Sequence, residues 1–364
     1  MGRRRIDLNS PLANELRMKI VQGTFISEGT MIAFPLCFPG ASAPIPADES
    51  HITALDVTER GIVHGGTSGR RVHLFVAAFH GATGAVFDMG VVEDADRCVA
   101  VCCGRGRFIA CVNGPDGGRL IRRRLGGMPS DLIQEWGFSR EPFEDLGTAM
   151  EGERIIHAVA DSSKEKVIVQ TEGHLISVGI ESGEIEVIGE VSGSGRLAVG
   201  SRGSIFGPDE PGSLWRYNPK DGTFTRNAVQ LPEGSWGKYP LSWARNPVDG
   251  RLYTADDEGN LFSFTEEEGF SAKLGRVPLT PAGPMAVTFD GRLFGACGEE
   301  IANLFCYDPA AQRVTRLGVA VSVIERRRYG YVFGDAVVGR DGQIFFGEDD
   351  DLGHLWIYFP SIRP

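Results

Sequence analysis

Two short motifs recur through the later part of this chain. A sequence that repeats a small unit must bury its apolar faces by stacking the copies against one another. The first motif reads Asp249-Gly250-Arg251-Leu252-Tyr253, then Asp290-Gly291-Arg292-Leu293-Phe294, then Asp341-Gly342-Gln343-Ile344-Phe345. In each copy Asp-Gly supplies the positive φ of a tight hairpin turn, and an alternating strand follows. The second reads Leu214-Trp215-Arg216-Tyr217-Asn218-Pro219, Leu261-Phe262-Ser263-Phe264, Leu304-Phe305-Cys306-Tyr307-Asp308-Pro309 and Leu355-Trp356-Ile357-Tyr358. Its large residues alternate as a packed strand requires. Weaker copies stand at His73-Leu74-Phe75-Val76 and His174-Leu175-Ile176-Ser177.

The copies are spaced by roughly 40 to 50 residues, the length of a β-propeller blade. The expectation is an all-β, seven-bladed propeller of four-stranded antiparallel blades, forming a single domain over the 364 residues. A ring of blades lets one domain grow beyond the size of a single compact core. The blades are placed at residues 51–92, 93–150, 151–191, 192–238, 239–279 and 280–334, with the last from Asp335 onward. That last unit holds only three strands before the chain ends. The missing one is assigned to residues 30–36, which would complete the blade, pair the two ends of the chain and leave no open edge.

Composition narrows the partners. A net charge of -11 argues against nucleic acid and against an anionic membrane surface. The arginines at positions 3 to 5 are followed by Asp7, Asn9, Asn14 and Glu15 rather than an apolar run, so no signal peptide is expected and the protein is read as soluble and cytoplasmic. Seven cysteines in no repeating framework are read as buried thiols, not disulfides or zinc ligands. There is no GxSxG elbow, Walker loop or HExxH.

Strand order gives the ring a direction. The Asp-Gly turns join strands A and B on a bottom face. The B–C loops and the connections between blades then lie on top. Acid recurs in four successive B–C loops: Asp209 and Glu210, Asp256 to Glu258, Glu299 and Glu300, and Glu348 to Asp351, followed by His354. Such a rim suits a divalent cation such as Ca²⁺, held by oxygen ligands, or a basic protein partner. The other reading is a set of ordinary solvated loops. Opposite lies a basic sector, with Arg70, Arg71 and His73 in the first blade and Arg326, Arg327, Arg328, Tyr329 and Tyr331 in the connection to the last. Arginine forks of this kind bind carboxylates. His64 departs from the repeat, standing where later copies carry Tyr253, Phe294 and Phe345. It is a candidate acid/base group, or a core histidine with its ring nitrogens satisfied.

These repeats resemble those of bacterial seven-bladed propellers, which include sugar-acid lactonases, polysaccharide lyases and glycosidases. The resemblance covers most of the chain and is specific for fold. It implies a carbohydrate- or sugar-acid-active protein. In the lyase version His64, Tyr329 and His354 act as acid/base groups. Arg70, Arg71, His73, Arg326, Arg327, Arg328, Tyr331 and Glu348 line the oligosaccharide or small-molecule site. Two alternatives remain: a non-catalytic scaffold docking a protein on its acidic face, and a metal-dependent lactonase.

Overall fold

The Asp-Gly turns form as the sequence requires. Gly250, Gly291 and Gly342 take φ of +73°, +82° and +81°, a region that favours glycine. Asp249 and Asp290 close their turns by accepting the Arg251 and Arg292 amides. The computed structural model describes residues 10–11, 28–36, 45–81, 83–125, 143–209, 212–323, 329–351 and 353–361. Residues 12–27 and 126–142, Cys37, Glu210 and the arginines Arg326, Arg327 and Arg328 lie outside the described residues. No helix among the described residues is long and apolar enough to cross a membrane.

The architecture is an all-β propeller of antiparallel sheets. Strand β1 is Thr30–Pro35. The first unit comprises β2 (His51–Val57), β3 (Val63–Ser68), β4 (Val72–His80) and β5 (Thr83–Val92); the second β6 (Arg97–Cys103), β7 (Arg107–Gly114), β8 (Gly117–Arg124) and β9 (Glu144–Thr148). The third is β10 (Ile155–Ala160), β11 (Lys166–Thr171), β12 (His174–Gly179) and β13 (Ile185–Glu190). The fourth is β14 (Ala198–Val199), β15 (Ile205–Pro208), β16 (Ser213–Asn218) and β17 (Thr223–Gln230). The fifth is β18 (Ala244–Arg245), β19 (Leu252–Ala255) and β20 (Asn260–Thr265), with an outer edge broken into β21 (Gly269–Phe270) and β22 (Gly275–Arg276). The sixth is β23 (Ala282–Val287), β24 (Leu293–Cys297), β25 (Asn303–Asp308) and β26 (Arg313–Gly318). A short ribbon, β27 (Ala320–Val321) with β28 (Tyr329–Gly330), precedes β29 (Phe333–Val338), β30 (Ile344–Glu348) and β31 (His354–Phe359).

Five of the sheets are free-standing, not the seven expected. The first two units run together as one eight-stranded sheet. The join is a single residue pair, Ser68 with Arg97, where the end of β3 meets the start of β6. The N-terminal strand pairs with β31 in antiparallel register from Thr30 opposite Phe359 to Pro35 opposite His354, so the last sheet takes its fourth strand from the other end of the chain.

The core explains why the middle strands are apolar on both sides. A sheet stacked between two others buries both faces, so its central strands read as near-continuous hydrophobic runs. Leu214, Trp215, Phe305, Phe345 and Trp356 are all buried. Each hydrophobic cluster joins consecutive units: Phe206, Leu214 and Phe264 link the fourth to the fifth, and Phe294, Phe346 and Trp356 link the sixth to the last. Another joins Phe345 and Ile357 of the last unit to Ile52 and Phe75 of the first. The inner strands β23, β29, β2, β6 and β10 pack in that order, and β14 and β18 continue to β23. The six described cysteines are buried and free, and burial pushes the Cys98 thiol up to about 12.

Candidate ligand site at the mouth of the channel

The acidic loops are built for turn closure. Asp256 accepts the Glu258 and Asn260 amides and the Asn260 side chain. Asp209 takes the Arg226 fork and the Asn227 amide. Asp257 accepts the amides of Lys238 and Tyr239, both at 3.0 Å, and so fixes the connection between the fourth and fifth units. Short polar side chains bonding nearby backbone in this way are a recurring turn device. Among the described residues no group of three or more His, Cys, Asp and Glu is arranged to hold a metal ion.

These turns frame a cleft of about 480 Å³ on the top face, lined by Trp236, Tyr239, Leu241, Ser242, Asp256 and Asp257, with Ser192 to Ser194 on one side and Pro281 on the other. Its size lies within the range of small-molecule sites. Trp236 is half-buried. Its indole N–H donates to Pro232 O at 2.9 Å, and its ring leans on Phe262 at 5.8 Å between centroids. Tyr239, also half-buried, donates its hydroxyl to Glu299 at 2.9 Å. The two rings are therefore oriented before any ligand arrives.

Arg196 follows Ser194 by two residues, and its amide donates to Leu241 O at 2.8 Å. Its side chain crosses from the fourth unit to the last, pairing with Asp335 and donating to Gly334 O at 2.6 Å. Asp335 also accepts the amides of Leu55 at 2.7 Å and Ala336 at 2.9 Å. One carboxylate thus joins the first, fourth and last units.

The residues singled out in the sequence fall into three separate groups. Arg70, Arg71 and His73 meet at Glu49, a fully buried carboxylate just before β2. Arg70 reaches it at 2.7 Å, Arg71 forks onto it at 2.9 and 3.1 Å, and His73 Nε2 lies at 2.8 Å. His73 Nδ1 is held by Asp88 at 2.9 Å. Burial works against the Glu49 charge, but the hydrogen bonds of Arg71 and His73 outweigh it and bring its pKa down to about 2. Burial likewise opposes the His73 charge, and Asp88 and Glu49 raise its pKa in spite of it. This cluster anchors the segment entering the first unit.

His64 is 2% exposed and packs on Phe108, with ring centroids 5.1 Å apart. Its Nδ1 has no hydrogen-bond partner among the described residues. Burial, with the Arg123 charge behind it, depresses its pKa to about 3. It lies in the core between the first two units, away from any opening. Glu348 and His354 pair with each other at 2.8 Å, and Trp356 Nε1 donates to the same carboxylate at 3.2 Å; all three are buried. Tyr329, on β28, and Tyr331 are half-buried in the connection to the last unit, and Tyr331 O accepts the Ala302 amide at 2.6 Å.

Trp236, Tyr239 and Arg196 were not singled out from the sequence. For Trp236 and Tyr239 the signal was the long connection between the fourth and fifth units, whose Pro, Gly and aromatic content departs from the repeat; Arg196, ahead of β14, carried none.

No protein-family profile matches the chain, and no curated protein matches it. Solved structures do. A catalytically inactive virginiamycin B lyase from Staphylococcus aureus, solved with quinupristin, superposes with a TM-score of 0.61 at 9% identity, covering 91% of this chain and 100% of that one. A chain of the mitotic checkpoint complex gives 0.58 at 12%, covering 93% and 97%. An extracellular domain from Bacteroides thetaiotaomicron gives 0.60 at 11%, covering 93% of this chain and 41% of that one. At such identities the likeness establishes the propeller fold alone.

Proposed function

We propose that this chain is a single-domain, seven-bladed propeller that binds a saccharide in the cleft between its fourth and fifth blades. The blade count is supported by the eight-stranded sheet, which divides into two four-stranded halves at the single Ser68–Arg97 pair. Closure of the ring by β1 is supported by its pairing with β31 and by the cluster joining the last unit to the first.

The observation that carries the ligand reading is the pairing of two oriented, half-buried aromatic rings, Trp236 and Tyr239, with Asp256 and Asp257, whose carboxylates the main chain fixes. Sugar rings present apolar C–H faces that stack on aromatic rings and hydroxyls that donate to carboxylates. Each carboxylate oxygen pair accepts more hydrogen bonds than the turns supply. Thermal denaturation against a panel of neutral and acidic oligosaccharides tests the reading. A saccharide at about 100 times its Kd adds roughly 2.7 kcal/mol of stability. A panel without any shift would contradict it.

A second reading is a protein-docking scaffold, favoured by the exposed Glu258, Glu299 and Glu300 around the same cleft. A basic partner held there would be released as ionic strength rises, since exposed charges are screened; capture insensitive to salt would exclude it.

A further inference from the structure

Edge strands are normally blunted by charge, irregularity or a bulge, because their free main-chain groups invite a further strand. The edge of the fifth unit is broken into β21 and β22, and that of the sixth, β26, carries Arg313 and Arg316. The third unit differs. Its outer strand β13 pairs with β12 on one side only. Two of the exposed large apolar side chains among the described residues, Ile185 at 38% and Val187 at 56%, lie on this strand. The others, Val248, Phe289 and Val323, lie in turns.

The edge is also oriented for pairing. The Gly179 amide donates to Glu184 O at 2.9 Å, so the Glu184 main chain turns toward β12. Main-chain groups alternate along an antiparallel strand. Those of Glu186 therefore turn inward too, and Ile185 and Val187 each offer a donor and an acceptor outward. Pairing is regular as far as Val187, where Ile188 follows as a bulge.

The two faces of the strand carry different chemistry. Ile185 stands opposite Val178 and Val187 opposite Ile176. Ile176 and Val178 are buried in the cluster joining the second and third units, so Ile185 and Val187 extend that apolar face into solvent. Glu184 and Glu186 lie on the other face, Glu186 opposite Ser177. Lys166 approaches Glu186 at 3.7 Å, while the exposed side chains of Glu184 and Glu190 form no ion pair among the described residues. A cavity of about 380 Å³ opens beside them, lined by Lys166, Ser177, Ser182, Glu184 and Glu186.

A second copy of this chain does not suit the edge. Antiparallel pairing of β13 with itself about Val187 sets Glu184 against Glu190, and pairing about Glu186 sets that residue against its own copy. Like charges directly opposite one another are destabilising. We propose that β13 is a docking edge for an extended segment of a partner protein in which apolar residues alternate with lysine or arginine. The main chain of that segment bonds Ile185 and Val187, its apolar side chains cover theirs, and its basic side chains meet Glu184 and Glu186. The proposal is independent of the cleft between the fourth and fifth units.

The test uses three fluorescein-labelled peptides: an alternating Lys-Val peptide, its Glu-Val counterpart, and the Lys-Val peptide N-methylated at every valine, which removes the main-chain donors facing β13. Each is titrated by fluorescence polarisation into the wild-type protein and into Val187→Lys, Glu184→Lys and, as a control on an exposed turn, Val248→Lys. The wild type should bind the Lys-Val peptide at least about tenfold tighter than either of the others. Val187→Lys and Glu184→Lys should each weaken that binding by about fivefold or more, and Val248→Lys should leave it unchanged. The replaced side chains are exposed, so melting temperatures should not move; the N-methylated peptide tests the edge on the wild type alone if they do. No binding of the Lys-Val peptide, equal binding of the three peptides, or equal binding by the wild type and both edge variants would overturn the inference. A wild-type dimer that Val187→Lys dissociates in analytical ultracentrifugation would overturn it in favour of a second copy.

Discussion

His64 stands where the repeat elsewhere places Tyr253, Phe294 or Phe345, and the structure gives it their job: it fills the space beside Phe108 in the core between two units. Its cost is a buried ring nitrogen without a partner. The His64→Phe variant is expected to gain about 1 kcal/mol in urea denaturation at neutral pH, since an unmet buried polar group is expensive. It should also change the pH profile. The folded pKa of about 3 lies below the ordinary 6.5, so His64 contributes stability above pH 6.5 that is lost as pH falls toward 3. The variant should lose less stability between pH 7 and 5 than the wild type. An identical slope would contradict the assignment of an uncharged core histidine.

Glu49 and His73 titrate with opposite signs. Glu49, brought from 4.5 to about 2, contributes stability above pH 4.5 that disappears as pH falls toward 2. His73, raised above 6.5, contributes stability that is full below 6.5 and fades as pH rises through its folded pKa. Arg71→Ala should shrink this contribution, read as a lower melting temperature at neutral pH and a smaller further fall between pH 4.5 and 2 than in the wild type. Residue identity alone suggested a ligand site here. Glu49 lies before the first repeat, so its meeting with Arg70, Arg71 and His73 was not legible from spacing within the repeats.

At the scale of elements the sequence was most legible. The Asp-Gly turns, the apolar central strands and the need for an outside strand to finish the last unit all follow from local chemistry. The boundary between the first two units did not, because the Ser68–Arg97 pair depends on how two strand ends approach on the top face. The N-terminal strand offers a direct test. Met31 is 1% exposed and packs among Ala33, Trp356 and Tyr358. Met31→Ala should therefore cost about 3 kcal/mol, as for a residue in mid-core. A loss below 0.5 kcal/mol, as at ordinary surface positions, would mean that the strand is an ornament rather than part of the last sheet.

Across the whole molecule, the fold joins residues far apart in the chain. Arg196 and Asp335 are 139 residues apart, and neither carries a signal of its own in the sequence. Trp236 lies in a connection that departs from the repeat, but the setting of its ring by Pro232 and Phe262 comes from the fold. Charge periodicity suggested an acidic rim for a cation or a basic partner, or a set of ordinary solvated loops. The structure shows Asp209, Asp256 and Asp257 bound to the amides and side chains that shape their loops. Asp209, Asp256 and Asp257 line the cleft that their turns frame. A calorimetric titration of the best-binding oligosaccharide from the panel into wild-type protein and into Trp236→Ala tests the central claim most directly. The account predicts a saturable one-to-one isotherm for the wild type and an affinity at least about tenfold weaker for the variant, at an unchanged melting temperature without ligand. Equal affinity in the two proteins would place the ligand elsewhere and contradict it.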